Sequence, residues 1–126
     1  NKQMEFFDKY RSMCIDESHT NQADLLDNIK KMQLNFSRQG LLNQVKTDLE
    51  AKDTTDQLQH IKCETLLIHG ENDQFYKDEM ETLNLHIPNN TFIELHQCGH
   101  MTPIEKPIEV TQIIKDWLSQ PNRTSH

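Results

Sequence analysis

The sequence predicts an α/β fold, with two parallel strands, flanking helices, and a further group of helices ahead of them. Three observations lead there. Residues 1–53 contain no proline and one glycine, and their apolar residues recur at helical spacing. Thr65-Leu66-Leu67-Ile68-His69 is a compact β-prone run closed by Gly70. Its lack of polar alternation suits a strand buried on both faces of a parallel sheet. The chain then continues as loop, helix, strand, loop and helix, an order that calls for a parallel pair joined by a right-handed crossover.

Each element has its own signal. Phe6, Phe7, Tyr10, Met13 and Cys14 follow one helix face. A polar patch at 16–21 breaks that pattern, and Thr20 or Asn21 can cap the next helix by accepting a backbone N–H. Leu25, Ile29, Met32 and Phe36 form its stripe, with Leu26 beside it, and Gly40 is expected to end it in a left-handed turn. Leu41, Leu42, Val45 and Leu49 start a third, shorter helix. Each of these helices is expected to bury one face. Leu58 and Ile61 anchor a short turn or helix ahead of the first strand at 65–69. A helix at about 76–86, turn chemistry at Pro88-Asn89-Asn90, and a second strand at 91–96 follow. The final helix at 108–118 keeps Val110, Ile113, Ile114 and Trp117 on one face, and the polar tail at 119–126 is expected to fray. Two strands cannot form a stable parallel sheet alone, so the fold is expected to be incomplete.

Composition narrows the function classes. The 126 residues carry 13 Lys+Arg against 20 Asp+Glu, a formal charge of -7, and only 34% apolar residues. A globular domain usually has about 45–50% apolar residues with glycine counted. The shortfall is filled by amides, ten Asn and eleven Gln. An acidic chain whose longest basic run is Lys30-Lys31 is a poor match for nucleic acid, where clustered Lys and Arg meet phosphates. No apolar stretch is long enough to span a membrane. Cys14, Cys63 and Cys98 are widely spaced and odd in number, as expected of reduced thiols in a cytoplasmic setting. No cofactor motif is present, and no metal is expected. The start at Asn1 and the lean composition suggest a piece of a longer protein.

In open parallel sheets, ligands bind beyond the carboxyl ends of the strands. Two short loops lie there, Gly70-Glu71-Asn72-Asp73 and Cys98-Gly99-His100. They put a carboxylate and an imidazole on one rim, where Asp73 can fix the tautomer of His100 and stabilise its protonated form. Phe75, Tyr76 and Met101 are candidates for lining a substrate pocket, and Phe75 and Tyr76 could equally pack against the neighbouring helix. His96 and His100 have helical metal spacing, but a strand-to-loop segment need not bring their rings together. Cys98 beside His100 could be a reactive thiol or a small packing residue.

From about Asp56 to Leu118 the chain resembles the C-terminal part of an α/β-hydrolase. The resemblance is carried by 58–73, ending Leu67-Ile68-His69-Gly70-Glu71-Asn72-Asp73, by Ile87-Pro88-Asn89-Asn90, by Cys98-Gly99-His100, and by Glu105-Lys106-Pro107. It implies that Asp73 is the acid and His100 the base of a catalytic triad. It also implies that Glu105 and Pro107 belong to the Glu-x-Pro that opens the last helix. Residues 1–53 then stand as a helical cap or lid, 54–118 as the βαβα part of the core, and 119–126 as a flexible tail. Glu64 departs from the family's usual proline there. The larger departure is the nucleophile: none of the five serines (Ser12, Ser18, Ser37, Ser119, Ser125) is flanked by glycines or follows a strand.

Two functions remain open at this point. The first is the acid–base and lid portion of a serine hydrolase for a small ester, thioester or amide. It would be inactive alone for lack of nucleophile and oxyanion hole, with the missing half supplied from elsewhere. The second is a non-catalytic module that binds a partner or itself through an exposed sheet edge.

Overall fold

The computed structural model describes residues 2–35 and 37–120, with side chains from residue 8 onward. The order is α1 (Lys2–Met13), α2 (Gln22–Leu34), α3 (Arg38–Glu50), a 3-10 turn (Thr55–His60), β1 (Thr65–Gly70), α4 (Lys77–His86), β2 (Asn90–Leu95), α5 (Thr102–Glu105) and α6 (Pro107–Leu118). The two strands are parallel and in one sheet, with Thr65 opposite Asn90 and Gly70 opposite Leu95. This register brings both strands to an end at the same level, so the loops after them leave the sheet side by side.

Among the described residues, two apolar clusters join the elements. In the first, Leu95, Cys98 and Val110 are buried, with Ile68, Ile93 and Ile113 against them, joining the sheet to α6. Burying a side chain such as Leu95, 1% exposed, contributes roughly 1.5–3 kcal/mol. In the second, Ile15, Leu25 and Ile29 pack with Cys14, Leu26, Met101 and Ile104. That cluster fastens α2 and the α1–α2 connection to the segment after β2. Of the six strand residues Leu66, Leu67, Ile68, Phe92, Ile93 and Leu95, only Leu67 and Leu95 are buried.

Several expectations need correction. Gly40 does not end α2: it lies in the first turn of α3, where its N–H donates to Ser37 Oγ at 3.0 Å, and it has no positive φ. A serine three residues ahead supplied the stronger signal, a helix start. Asn21 precedes α2 but makes no side-chain cap bond. α3 is as long as α2 and buries no residue; Leu41, Leu42, Val45 and Leu49 form an exposed stripe. On α6, Val110 is buried and Ile113 and Trp117 are half-buried, but Ile114 is 40% exposed. Tyr10 is exposed, while the Phe6 and Phe7 side chains, like Phe36 and the tail at 121–126, lie outside what is described. Among the described side chains of α1, Arg11 is buried; it pairs with Asp8 and donates to Gln33 Oε1 of α2 at 2.8 Å.

Candidate active site

The site forms where β1 and β2 end. Glu71 N–H donates to Leu95 O at 3.0 Å and Asn72 N–H to Cys98 O at 2.9 Å, which locks the two loops edge to edge. Gly70 makes this approach possible: a Cβ there would stand 2.1 Å from Gly99 O and 2.3 Å from Cys98 O. The chain turns out of β2 through Gln97, whose φ of 48° is left-handed and whose N–H donates to Glu71 Oε2 at 3.0 Å.

The two loops bring Asp73 and His100 together. Asp73 Oδ2 lies 3.0 Å from His100 Nδ1. The Asp73 side chain is 6% exposed and that of His100 is 32% exposed. The other Asp73 oxygen accepts from Phe75 N–H at 2.8 Å and Tyr76 N–H at 3.3 Å. Burial works to raise the Asp73 pKa. The bonds from His100 and the two backbone amides outweigh it and hold the carboxyl below its ordinary value. Asp73 therefore stays an acceptor with both oxygens in use, and its place relative to the imidazole is over-determined.

Phe75 and Tyr76 flank the imidazole. Their ring centroids lie 5.2 and 5.4 Å from that of His100, Phe75 edge-on and Tyr76 tilted. Tyr76 is 53% exposed. Met101 sits elsewhere, half-buried against Ile15, Leu25 and Ile29. The rings of His96 and His100 are held by different carboxylates, those of Glu71 and Asp73. Among the described residues, no group of three or more His, Cys, Asp or Glu side chains could hold a metal ion. Cys98 is fully buried, and burial followed by the nearby Glu105 carboxylate pushes its thiol up to about 12. It is a packing residue, not a reactive thiol.

Sequence reasoning missed the α1–α2 connection. His100 N–H and Met101 N–H both donate to Cys14 O, at 3.0 and 3.1 Å. Gly99 lies against the same segment, where a Cβ would meet Ile15 C at 2.8 Å and Asp16 N at 2.9 Å. Asp16 accepts from Ser18 N–H at 2.8 Å, from Ser18 Oγ, and from the Asn72 side-chain amide of the acid loop. The Ser18 hydroxyl is the chief cause of a lowered Asp16 pKa. The one local signal in the sequence was the Asp-x-Ser spacing at 16–18, which suits an Asx turn. A cavity of about 560 Å³ opens between this connection and the two loops; Asp16, Asn72, Asp73 and Gln97 line it, and His100 does not.

Glu105 was legible only as part of a family motif. Its side chain is fully buried, and its two oxygens accept from Asp16, Gly99 and Met101 N–H, with the His19 ring beside one of them.

Comparison with known proteins gives the chain's family. The family model described as Serine hydrolase (FSH1) matches residues 17–112. A proline iminopeptidase of Lactobacillus crispatus (strain ST1) is 30% identical over 66 residues, 52% of this chain and 22% of that protein. The solved structure of a malate-bound thermophilic esterase from Thermogutta terrifontis superposes with a TM-score of 0.83 at 30% identity, over 90% of this chain and 42% of the esterase. The chain thus spans about a fifth of the one relative and less than half of the other. All three matches point to an α/β-hydrolase family. With its matched region extending from the α1–α2 connection into α6, the chain belongs to the serine hydrolase (FSH1) family.

Proposed function

We propose that this chain supplies the acid and base of a Ser-His-Asp triad that hydrolyses a small ester, thioester or amide. The observation that carries the reading is the 3.0 Å contact between Asp73 Oδ2 and His100 Nδ1, at the carboxyl ends of two adjacent parallel strands. With Nδ1 engaged by Asp73, Nε2 is the nitrogen that takes the serine proton as general base and returns it to the leaving group as general acid. Asp73 holds the tautomer and stabilises the imidazolium.

The nucleophile and the oxyanion donors come from residues outside these 126. No serine here is flanked by glycines or follows a strand, and the esterase match covers 42% of that enzyme. Residues 1–53 act as a lid, docked on the histidine loop through Cys14 O. Phe75 and Tyr76, beside the His100 ring, border the space a substrate would enter. The half-buried strands are completed by the nucleophile-bearing part or by a second copy of the chain. Sedimentation of the isolated chain as a stable compact monomer at micromolar concentration would speak against this completion. No helix among the described residues is long and apolar enough to cross a membrane. We place the protein in the cytoplasm, on its three unpaired cysteines, and expect neither nucleic acid nor lipid as a partner.

Phosphonylation tests the triad reading. In the protein carrying its nucleophile segment, a fluorophosphonate should label one serine outside residues 1–126, and His100→Ala should slow labelling at least a thousandfold. Labelling at the wild-type rate in His100→Ala would remove His100 from the mechanism.

A non-catalytic interaction module is the second reading. It is favoured by the exposed Leu41, Leu42, Val45 and Leu49 stripe on α3. Absence of any labelled serine in the complete protein would support it.

A further inference from the structure

We propose that Glu105 is the positioning residue for His100, clamping the histidine loop and the α1–α2 connection into one rigid unit. The inference rests on the reading of His100 as the catalytic base. Three main-chain amides from two stretches of chain converge on one fully buried carboxylate. Oε1 accepts from Asp16 N–H at 2.7 Å and Gly99 N–H at 2.9 Å, with His19 Nε2 at 3.1 Å. Oε2 accepts from Met101 N–H at 3.0 Å. Gly99 and Met101 are the residues on either side of His100, so a single side chain holds the base's backbone from both directions.

The arrangement needs a carboxylate. A glutamine in the same place offers one acceptor oxygen and an NH2 group. Turned one way, its NH2 faces the Asp16 and Gly99 amides, donor against donor; turned the other, it faces Met101 N–H, which keeps Cys14 O as its acceptor. Water cannot make good the loss, because the side chain has no exposed surface. The His100 side chain is 32% exposed, and Asp73 tethers its ring through Nδ1. Backbone orientation therefore decides whether the imidazole meets both Asp73 and the serine. The same carboxylate holds the Asp16 amide, and the Asp16 side chain binds Asn72 of the acid loop, so Glu105 ties lid, acid loop and histidine loop together beside the Cys14 O bonds to His100 and Met101.

The test uses Glu105→Gln with two readouts. In the protein carrying its nucleophile, ester hydrolysis is expected to lose about 10- to 100-fold in kcat with KM within about threefold, the loss expected when a catalytic group drifts by an ångström or less. In the same protein, the His100 Nδ1–H proton resonance is expected to broaden, and the Gly99 and Met101 amides to exchange faster. Ile87→Ala removes a buried side chain at the opposite end of the sheet and serves as the stability control. It should lower Tm while leaving kcat and the Nδ1–H signal close to wild type. If Glu105→Gln is recovered unfolded, Glu105→Asp keeps the charge but withdraws it from the amides, and is read the same way. A wild-type kcat and an unmoved Nδ1–H signal in the Glu105 variant would overturn the proposal, provided His100→Ala is inactive. An active His100→Ala would instead remove the triad reading beneath it.

Discussion

Gly70→Ala puts a methyl group where two main-chain carbonyls already stand. The added carbon would lie 2.1 Å from Gly99 O and 2.3 Å from Cys98 O, whereas ordinary contact begins at 3.4 Å. Gly70 has no positive φ, so the effect is one of contact and not of backbone conformation. The histidine loop must therefore retreat by more than an ångström, against the Asn72–Cys98 and Gly99–Glu105 bonds. Overfilling a packed interior in this way costs about 1–3 kcal/mol. For a domain of this size that corresponds to a Tm lower by roughly 4–12 °C. The same retreat stretches the 3.0 Å Asp73–His100 contact beyond hydrogen-bond reach. Urea unfolding followed by circular dichroism gives the stability change at unchanged slope. A variant within about 0.5 kcal/mol of wild type, the range of neutral surface changes, would refute the reasoning.

Two further predictions follow from the titratable groups. With iodoacetamide at mildly alkaline pH, exposed Cys63 should be alkylated first and Cys14 more slowly, since burial and then the Glu105 and Asp73 charges raise its pKa. Cys98 should react only after unfolding, and its modification in the native protein would contradict the packing described. Asp73 has a native pKa depressed below its ordinary 3.8. Its contribution is therefore full above about pH 4 and lost as pH falls through the native value. The stability gap between wild type and Asp73→Asn, read as urea midpoints, should be largest near neutrality and shrink in acid; a gap independent of pH would count against it.

Much of the fold was legible because strands and breakers here are local. The 65–70 run announces β1 through its unbroken apolar content and the glycine that ends it. Pro88-Asn89-Asn90 sets the start of β2 to within a residue. Asp73 and His100 were legible because each sits at a fixed distance past a strand, and parallel pairing turns that spacing into proximity. Other features depend on contacts across the chain. Gly40 looked like a helix end because its partner, Ser37, caps a helix that helical spacing alone started later. The 16–21 patch read as a polar break, yet Asp16 is buried because Asn72 and Glu105, far along the sequence, satisfy its side chain and its amide. Glu105 itself gave no sign of burial, since a charged residue before a helix usually faces water.

The most direct measurement of the central claim is kcat for hydrolysis of a small ester by the protein carrying its nucleophile segment, with His100→Ala and Asp73→Asn compared to wild type. His100→Ala should lose about 10⁴- to 10⁶-fold and Asp73→Asn about 10⁴-fold, because neither leaves a correctly oriented base. A loss of only a few-fold in His100→Ala, with the protein folded, would contradict the account.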